Sequence, residues 1–575
     1  MIKKNTFLHL ALATLFSGVF FSSCTKQFLD QTTTTDLNEQ SVFSDSARTI
    51  DFLTQIYTNI DFSFNPARFD GRAGLDACSD EAEGPSASVV TAYNEFATGS
   101  VNSYSISSDA WSISYQNIRA VNQYISHLPS VPFNDALKQR TRAEAIFLRA
   151  WYYSILLKHY GGVPIVGDAI YDITDKINTT RDTYENCVNY ILAQCDAAAS
   201  DLPDSYTGAE FGRVTRGACL ALKSRVLLYA ASPLFNGGSI AQSDPLKSIS
   251  GYPNFDLNRW KNAADAAKAV IDMNLYQLQE DNVTKPGYGF YEVFQKRSNV
   301  EFIFQKMKDP GNSFHDLELL WRPTSRGGST ITGSFPYQNM VDAFQMKNGK
   351  DITDPTSGYN PANPYANRDP RMDYTVSRNG ILMYKVNSAP TVLYTYLDES
   401  NGDGFGQGTP TGYYVNKMCD ENVVPNWFNG TQRCYPMIRF GEVLLNYAEA
   451  LNEFSGPTSD VYAAIELIRK RAGLVPFNLP SGLTTEQMRS VIQHERQVEL
   501  AFEEHRFWDV RRWKIAAQTD NMMMKGMRIT NLGSNNFTYE IVNVRQHSFR
   551  EPMYLWPIPQ VEAAKSTDLL QNQGY

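Results

Sequence analysis

RAEAIFLRAWYYSILLKHYGGVP, residues 142–164, is the stretch whose reading decides the fold. Ala143, Ile146, Phe147, Ala150, Trp151 and Ser154 recur at helical spacing, while Leu148, Tyr152 and Ile155 make the other side apolar too. A helix apolar on two faces is sandwiched between neighbours rather than laid on a surface. Gly161-Gly162, with Pro164 just beyond, supplies the stop: glycine tolerates the left-handed backbone of a helix end, and proline cannot continue the ladder.

Working outward, helical signals run from 111 to 273. Trp111, Tyr115, Ile118 and Asn122 share a face, and further helices are predicted around 184–199, 217–234 and 260–273, with a first one near 41–60. Helices return at 438–454 and 459–472, and a last long one is predicted over 486–513. Between them, residues 276–436 lose the helical period and become rich in Gly, Pro, Asn and Tyr, with strand-like pieces such as VEFIFQK and TGYYVNK. That composition reads as an irregular insertion with small hairpins. Residues 61–109 show no sustained period and read as surface loops, where binding residues concentrate. The tail from 514 reads as extended, because the prolines of EPMYLWPIP forbid a continuous helix. Small residues beside aromatics (Ala150-Trp151, Tyr447-Ala448, Ala463-Ala464) suit the nesting of tetratricopeptide helices, although the 34-residue consensus is absent. The fold class is therefore mainly α: a tetratricopeptide-like helical-repeat scaffold, about 41–273 and 437–513, carrying a large irregular insertion with small β-hairpins.

The N-terminus reads as an address. Lys3 and Lys4 precede an apolar run over 7–21, and the small Ser22-Ser23 stand directly before Cys24. Residues 1–23 form a lipoprotein signal peptide on this reading, Cys24 is the lipidated residue, and the Thr-rich 24–40 is a tether. The run of about 15 apolar residues is short of the ~20 a spanning helix needs. A net charge of −9 argues against nucleic acid. Besides Cys24, the cysteines are Cys78, Cys187, Cys195, Cys219, Cys419 and Cys434, with no C-x-x-C pair for zinc or redox work. Most read as small buried residues. Cys419 and Cys434 flank a polar loop and can close a disulfide in an exporting cell. The 13% aromatic content, with 32 tyrosines, exceeds what a helical core requires and suits walls that contact sugars or proteins.

Several strings together resemble the SusD/RagB family of outer-membrane glycan-binding lipoproteins. They are TRAEAIFLRAWYYSILLKHYGGVPIV (141–166), ACLALKSRVLLYAASPLF (218–235), YQNMVDAFQMKNGK (337–350), NRDPRM (367–372) and TGYYVNKM (411–418), then IRFGEVLLNYAEALNE (438–453), IRKRAG (468–473), ERQVELAFEEHRFWDVRRW (495–513) and YLWPIP with the terminal QNQGY. The resemblance implies a tetratricopeptide-like scaffold with an irregular ligand face, a lipid anchor such as palmitate in the outer membrane, and exposure to the cell exterior. It implies no enzymatic activity and no cofactor. Its implied partner is a SusC-like TonB-dependent transporter, to which captured glycan oligomers are passed.

Sugar binding needs flat aromatic faces against C–H surfaces and planar polar groups for hydroxyls. The resemblance directs attention to the two irregular regions. The first offers Tyr93, Asn94, Phe96, Asn102 and Tyr104; the second offers Tyr288, Phe290, Tyr291, Trp321 and Arg322, and then Arg368, Tyr394, Tyr396 and Trp427. Trp321 leads, standing in WRPTSRGGS beside Arg322 and Arg326, with Trp321→Ala expected to weaken oligosaccharide binding at least about tenfold. Its alternative is local packing, and for Arg368 it is scaffold. Glu495, Glu499 and Glu503 at i, i+4, i+8, with Arg496, Arg506, Arg511 and Arg512 nearby, read as a solvated or salt-bridged helix face. DESNGDG (398–404) reads as a Gly-rich turn rather than a calcium loop, because Pro410 stands where the loop's closing Glu belongs. Three rivals stand beside glycan capture. Relatives of this kind also capture peptides; a helical glycosidase needs two carboxylates across a cleft, and no loop pair stands out; a repeat scaffold that only docks proteins leaves the aromatic loops unexplained.

Overall fold

The structure is a computed structural model describing residues 38–85, 91–307, 315–384, 389–421 and 433–575. Cys24, the leader and the tether up to residue 37 lie outside the described residues. The scaffold helices are α1 (Ser46–Tyr57), α2 (Asp109–His127), α3 (Asp135–Tyr160), α4 (Tyr184–Ala199), α5 (Arg216–Ala231), α6 (Asn258–Ile271), α7 (Phe440–Ser455), α8 (Ser459–Arg471), α9 (Thr485–Glu499) and α10 (Arg506–Arg512). Each of α2 to α6 packs on the next, α6 packs on α7, and α7 packs on both α8 and α9. The insertion therefore leaves and rejoins a continuous helical stack.

The decisive stretch is the centre of that stack. α3 starts at Asn134, whose side chain accepts from Leu137 N, and it is buried on both faces. Trp151 Nε1 donates to Ile60 O (3.0 Å) and Tyr152 Oη to Ile56 O (2.7 Å), so aromatics that face the apolar core still satisfy their polar tips. Gly161 takes φ +80° at the cap, and Gly162 is closely packed: a Cβ there would lie 2.0 Å from Asp182 O. Arg181 ties this helix end to the C-terminal segment through Gly162 O (2.8 Å), Leu570 O (2.8 Å) and Asn572 Oδ1 (3.0 Å). Gly162→Ala is expected to destabilise the fold by about 1–3 kcal/mol, because backbone rather than a flexible side chain must move. Equilibrium urea denaturation checks this, and an unchanged midpoint would refute it.

The neck of the insertion is an antiparallel pair, Phe302–Met307 against Cys434–Arg439. Beyond it lie short helices and two further small pairs, Val376–Ser377 with Tyr414–Val415 and Leu382–Tyr384 with Pro390–Val392. Four expectations change. The predicted 486–513 helix is broken between α9 and α10, where Phe502 (φ 57°) and Glu504 (φ 64°) take left-handed backbone. The tail from 514 carries a long hairpin, Met523–Asn531 with Phe537–Gln546. The 61–109 region is largely core rather than surface: Leu75, Asp76, Cys78, Asp80, Glu81 and Glu83 are buried. Cys419 and Cys434 are free and buried, as are Cys78, Cys187, Cys195 and Cys219.

Of the two readings of the Glu495–Glu499–Glu503 ladder, solvated or salt-bridged, the structure shows the second: all three side chains are buried and ion-paired. Its cations come from far along the chain rather than from the nearby arginines. Arg439 reaches Glu301 (2.6 Å), Glu499 (2.8 Å) and Glu503 (2.7 Å); Arg371 reaches Glu495 (2.6 Å) and Glu499 (3.0 Å); Arg471 reaches Glu301 (3.1 Å) and Glu499; Lys417 reaches Glu503 (2.5 Å). Burial alone would raise the Glu499 carboxyl, but Arg471, Arg439 and Arg371 hold it well below the usual carboxylate range. Arg496 and Arg512 instead serve Asp509, and Arg506 serves Asp80.

Among the described residues no helix is long and apolar enough to cross a membrane.

Candidate functional site

Burial separates the sequence-selected residues. Trp321 ends the short helix His315–Trp321 and is only 1% exposed, so its ring has no face open to a ligand. The glycines after it serve close packing: a Cβ at Gly328 would lie 1.6 Å from Arg322 O. Arg322 is buried and bonds Glu318 (3.0 Å) and Asp420 O (3.1 Å), and Arg326 is buried beside Thr391. Phe290, Tyr93 and Phe96 are core as well. Tyr93 Oη donates to Pro85 O, and Phe96 packs edge-on against Phe507 at 5.2 Å. Tyr291 is buried and donates to Asp420 Oδ1 (2.9 Å), while Tyr288 beside it is half-buried. Arg368 is scaffold, donating to the carbonyls of Val341, Phe344 and Pro364. Trp427 lies outside the described residues. In DESNGDG, Glu399 accepts from Asn401 N (2.8 Å) and Asp403 from Ser325 N (3.0 Å), and these bonds build a turn.

Apart from Tyr288, which packs with Tyr291 and Tyr374, the residues left accessible gather in two places. The first is the irregular N-terminal face. Ala82–Glu83 pairs with Phe335–Pro336, Tyr337 N donates to Glu81 O (2.9 Å), and Gly333 N donates to Arg72 O (2.7 Å). The early irregular region and the insertion are thus stitched into one surface. Above this seam the helix Ala92–Thr98 ends at Gly99, whose φ of +74° turns the chain outward. Asn102 Oδ1 then accepts from Tyr104 N (2.9 Å) and Ser105 N (3.3 Å), an Asx turn that lifts Tyr104 to 81% exposure. The loop is pinned from behind: Arg550 donates to Val101 O (2.7 Å) and Gln560 N to Ser103 O (2.8 Å). Tyr104 is therefore presented by a held turn, while Phe96, on the adjoining helix, points into the core.

Next to this loop lies a groove of about 530 Å³ lined by Phe69, Asp70, Thr91, Glu95, Ser105 and Ser107, with Arg68 at its base. The Arg68 charge is already engaged by Asp109 (2.7 Å) under the Trp556 ring. Asp70 is exposed, and burial pushes the Glu95 carboxyl upward. Hydroxyls, carboxylates and one exposed phenol suit a ligand rich in hydroxyl groups. Asp70, Thr91, Glu95, Ser105 and Ser107 were not selected from sequence; the Asn-x-Tyr spacing of an Asx turn was the available signal for the loop itself. Asn94 is half-buried and Asn102 exposed on this same face.

The second place is the tip of the C-terminal hairpin, where Tyr394 and Tyr396 stand half-buried against Phe537, with centroids 5.6–5.9 Å apart. Phe537 was not selected from sequence.

Two family models match the chain: the SusD family model over residues 300–575, and one described as starch-binding and associating with the outer membrane over residues 27–228. SusD-like protein P2 of Formosa agariphila is 25% identical over 497 residues, covering 84% of this chain and 83% of its own. A SusD-like carbohydrate-binding protein from Bacteroides fragilis superposes with a TM-score of 0.71 at 22% identity, covering 92% of this chain and 100% of its own. A laminarin-binding SusD-like protein superposes with a TM-score of 0.62 at 19% identity, covering 93% and 100%. Those structural likenesses carry the fold, a helical tetratricopeptide-like scaffold with small strand pairs.

Proposed function

This chain is a SusD-like family protein, and from that premise we propose that it is a surface lipoprotein, anchored through Cys24 in the outer membrane and facing the cell exterior, that captures oligo- or polysaccharide and delivers it to a SusC-like TonB-dependent transporter. Capture without chemistry fits the site, where a ring held out at 81% exposure offers adhesion and a polar groove beside it offers selectivity. The starch-binding, outer-membrane description of one matching family model and the carbohydrate-binding relatives support the ligand class. The single observation that carries the reading is Tyr104, an aromatic with no packing role, presented by a turn that is itself bonded down.

Isothermal titration against a panel of soluble glycans tests it. The protein is expected to bind at least one, and Tyr104→Ala to weaken that binding by about tenfold, the effect of roughly 1.4 kcal/mol of lost stacking, with the melting temperature unchanged. Unaltered affinity in the variant would remove Tyr104 from the site. Failure of the whole panel would favour peptide capture.

One observation favours a second reading. Asp70 and Glu95 share the groove, and the Glu95 acid is raised, as a general acid requires. Release of reducing ends from the bound glycan would establish a glycosidase, and its absence would leave binding alone.

A further inference from the structure

The aromatic platform at the hairpin tip is built by a different rule from the groove. Residues 393–396 alternate: Leu393 and Thr395 are fully buried, so Tyr394 and Tyr396 fall on the same outward side. Leu397 N donates to Ile529 O (2.8 Å), which lays this segment along the hairpin's edge and brings both rings against Phe537. Ser534 and Asn535 take left-handed backbone at the turn, and Asn535 Oδ1 accepts from Tyr394 Oη (3.2 Å). Two phenols, one phenyl ring and a carboxamide make a neutral edge that offers ring surface and hydrogen bonds together.

The hairpin's other end is fastened beside the groove. Arg545 pairs with Glu83 (2.7 Å), His547 Nε2 sits 3.0 Å from Tyr337 Oη, and Ser548 N donates to Ala97 O (2.9 Å) on the helix that lines the groove. Met523 to Asn531 spans eight residue steps, so base and tip are roughly 25 Å apart at a strand rise of about 3.3 Å. The platform therefore stands at the tip of an element whose base is fastened beside the groove, and the reach of an extended chain separates the two.

We propose that Tyr394, Tyr396 and Phe537, with Asn535, form a second carbohydrate-contact site, which a polysaccharide already held at the Tyr104 groove reaches with a distant stretch of its chain. The inference rests on the glycan-capture reading above. It makes retention depend on ligand length: a short oligosaccharide fills the groove alone, and a long chain gains a second, effectively intramolecular contact.

The test is affinity electrophoresis of the full chain in gels carrying laminarin or amylopectin, set against titration with laminaritriose and maltotriose. Tyr394→Ala/Tyr396→Ala is expected to lower polymer retention by roughly fivefold and to leave trisaccharide affinity within about twofold. Tyr394→Ala alone, whose hydroxyl bonds to the exposed Asn535, guards against misfolding and is expected to shift polymer retention in the same direction. Unchanged polymer retention in both variants, or an equal loss for trisaccharide and polymer with intact melting, overturns the second site while glycan capture stands. If the unmodified protein retains neither polymer nor trisaccharide, glycan capture falls and the platform's assignment with it.

Discussion

Arg439→Ala is expected to lower the stability of the folded protein by about 3–5 kcal/mol, the cost of taking from buried carboxylates the cation that three of them share. Arg439 is 2% exposed and touches Glu301, Glu499 and Glu503 at 2.6–2.8 Å, and it also donates to Glu499 O (2.9 Å). These contacts join one neck strand of the insertion, Glu301 just before the other, and the break between α9 and α10. Removing the guanidinium takes one cation from three buried acids, leaving them to Arg471, Arg371 and Lys417, and opens a cavity where those segments meet. Arg439→Lys restores charge but not the planar fork that reaches several carboxylates at once, so it is expected to recover less than half of the loss. Urea denaturation of the three proteins measures this. A loss under about 1 kcal/mol for Arg439→Ala would mean that Arg471 and Arg371 already neutralise the cluster.

The second large effect is a pH dependence centred on the other side of the same break. Glu504 and Glu503 point opposite ways: Glu503 meets Arg439 and Lys417, whereas Glu504 Oε1 accepts from Leu75 N (3.2 Å) in an acidic pocket with Asp76 and Glu81. Both Asp76 oxygens, Glu81 Oε2 and Glu504 Oε2 are buried without a hydrogen-bond partner, and two carboxylates bond each other only when one is protonated. Burial, aided by Glu503, pushes Asp76 up to about 7 against the pull of Lys417; Glu81 and Glu504 are raised as well. A raised acid stabilises the fold below its unfolded pKa near 4, and this contribution is lost as pH climbs through about 7. Asp76→Asn cannot ionise and can donate to Glu81. Its stability relative to the natural protein is therefore expected to rise between about pH 4 and 8, reaching a few kcal/mol. The buried His159 and His505, held neutral by desolvation, push the natural protein's own curve the opposite way over part of this range. The comparison is accordingly made pH by pH, with urea midpoints. A difference that does not grow with pH would refute a protonated Asp76.

The scaffold was legible in the sequence because helical periodicity is local. α4 was placed to the residue, and α5 to α8 within about three, from spacing alone. The break at 500–505 was not legible. Residues 495–513 keep a helical charge pattern, and the left-handed backbone of Phe502 and Glu504 is imposed by partners from residues 75, 81, 417 and 439. The same logic explains the binding residues. Trp321 and Tyr104 both occur in polar, irregular stretches. One is swallowed by glycines that let the chain fold back over it, and the other is lifted by an Asx turn.

What the sequence determined by itself is the helical stack, the glycine stop that ends α3 and the placing of the irregular insertion between its two runs, because spacing and glycine stops act within a few residues. The family followed from strings spread along the same chain. Only the tertiary structure decided which aromatics face solvent, which carboxylates are neutralised and where residues 68–70 and 91–107 enclose a groove. Burial and charge pairing depend on neighbours hundreds of residues away, and composition carries no record of those neighbours.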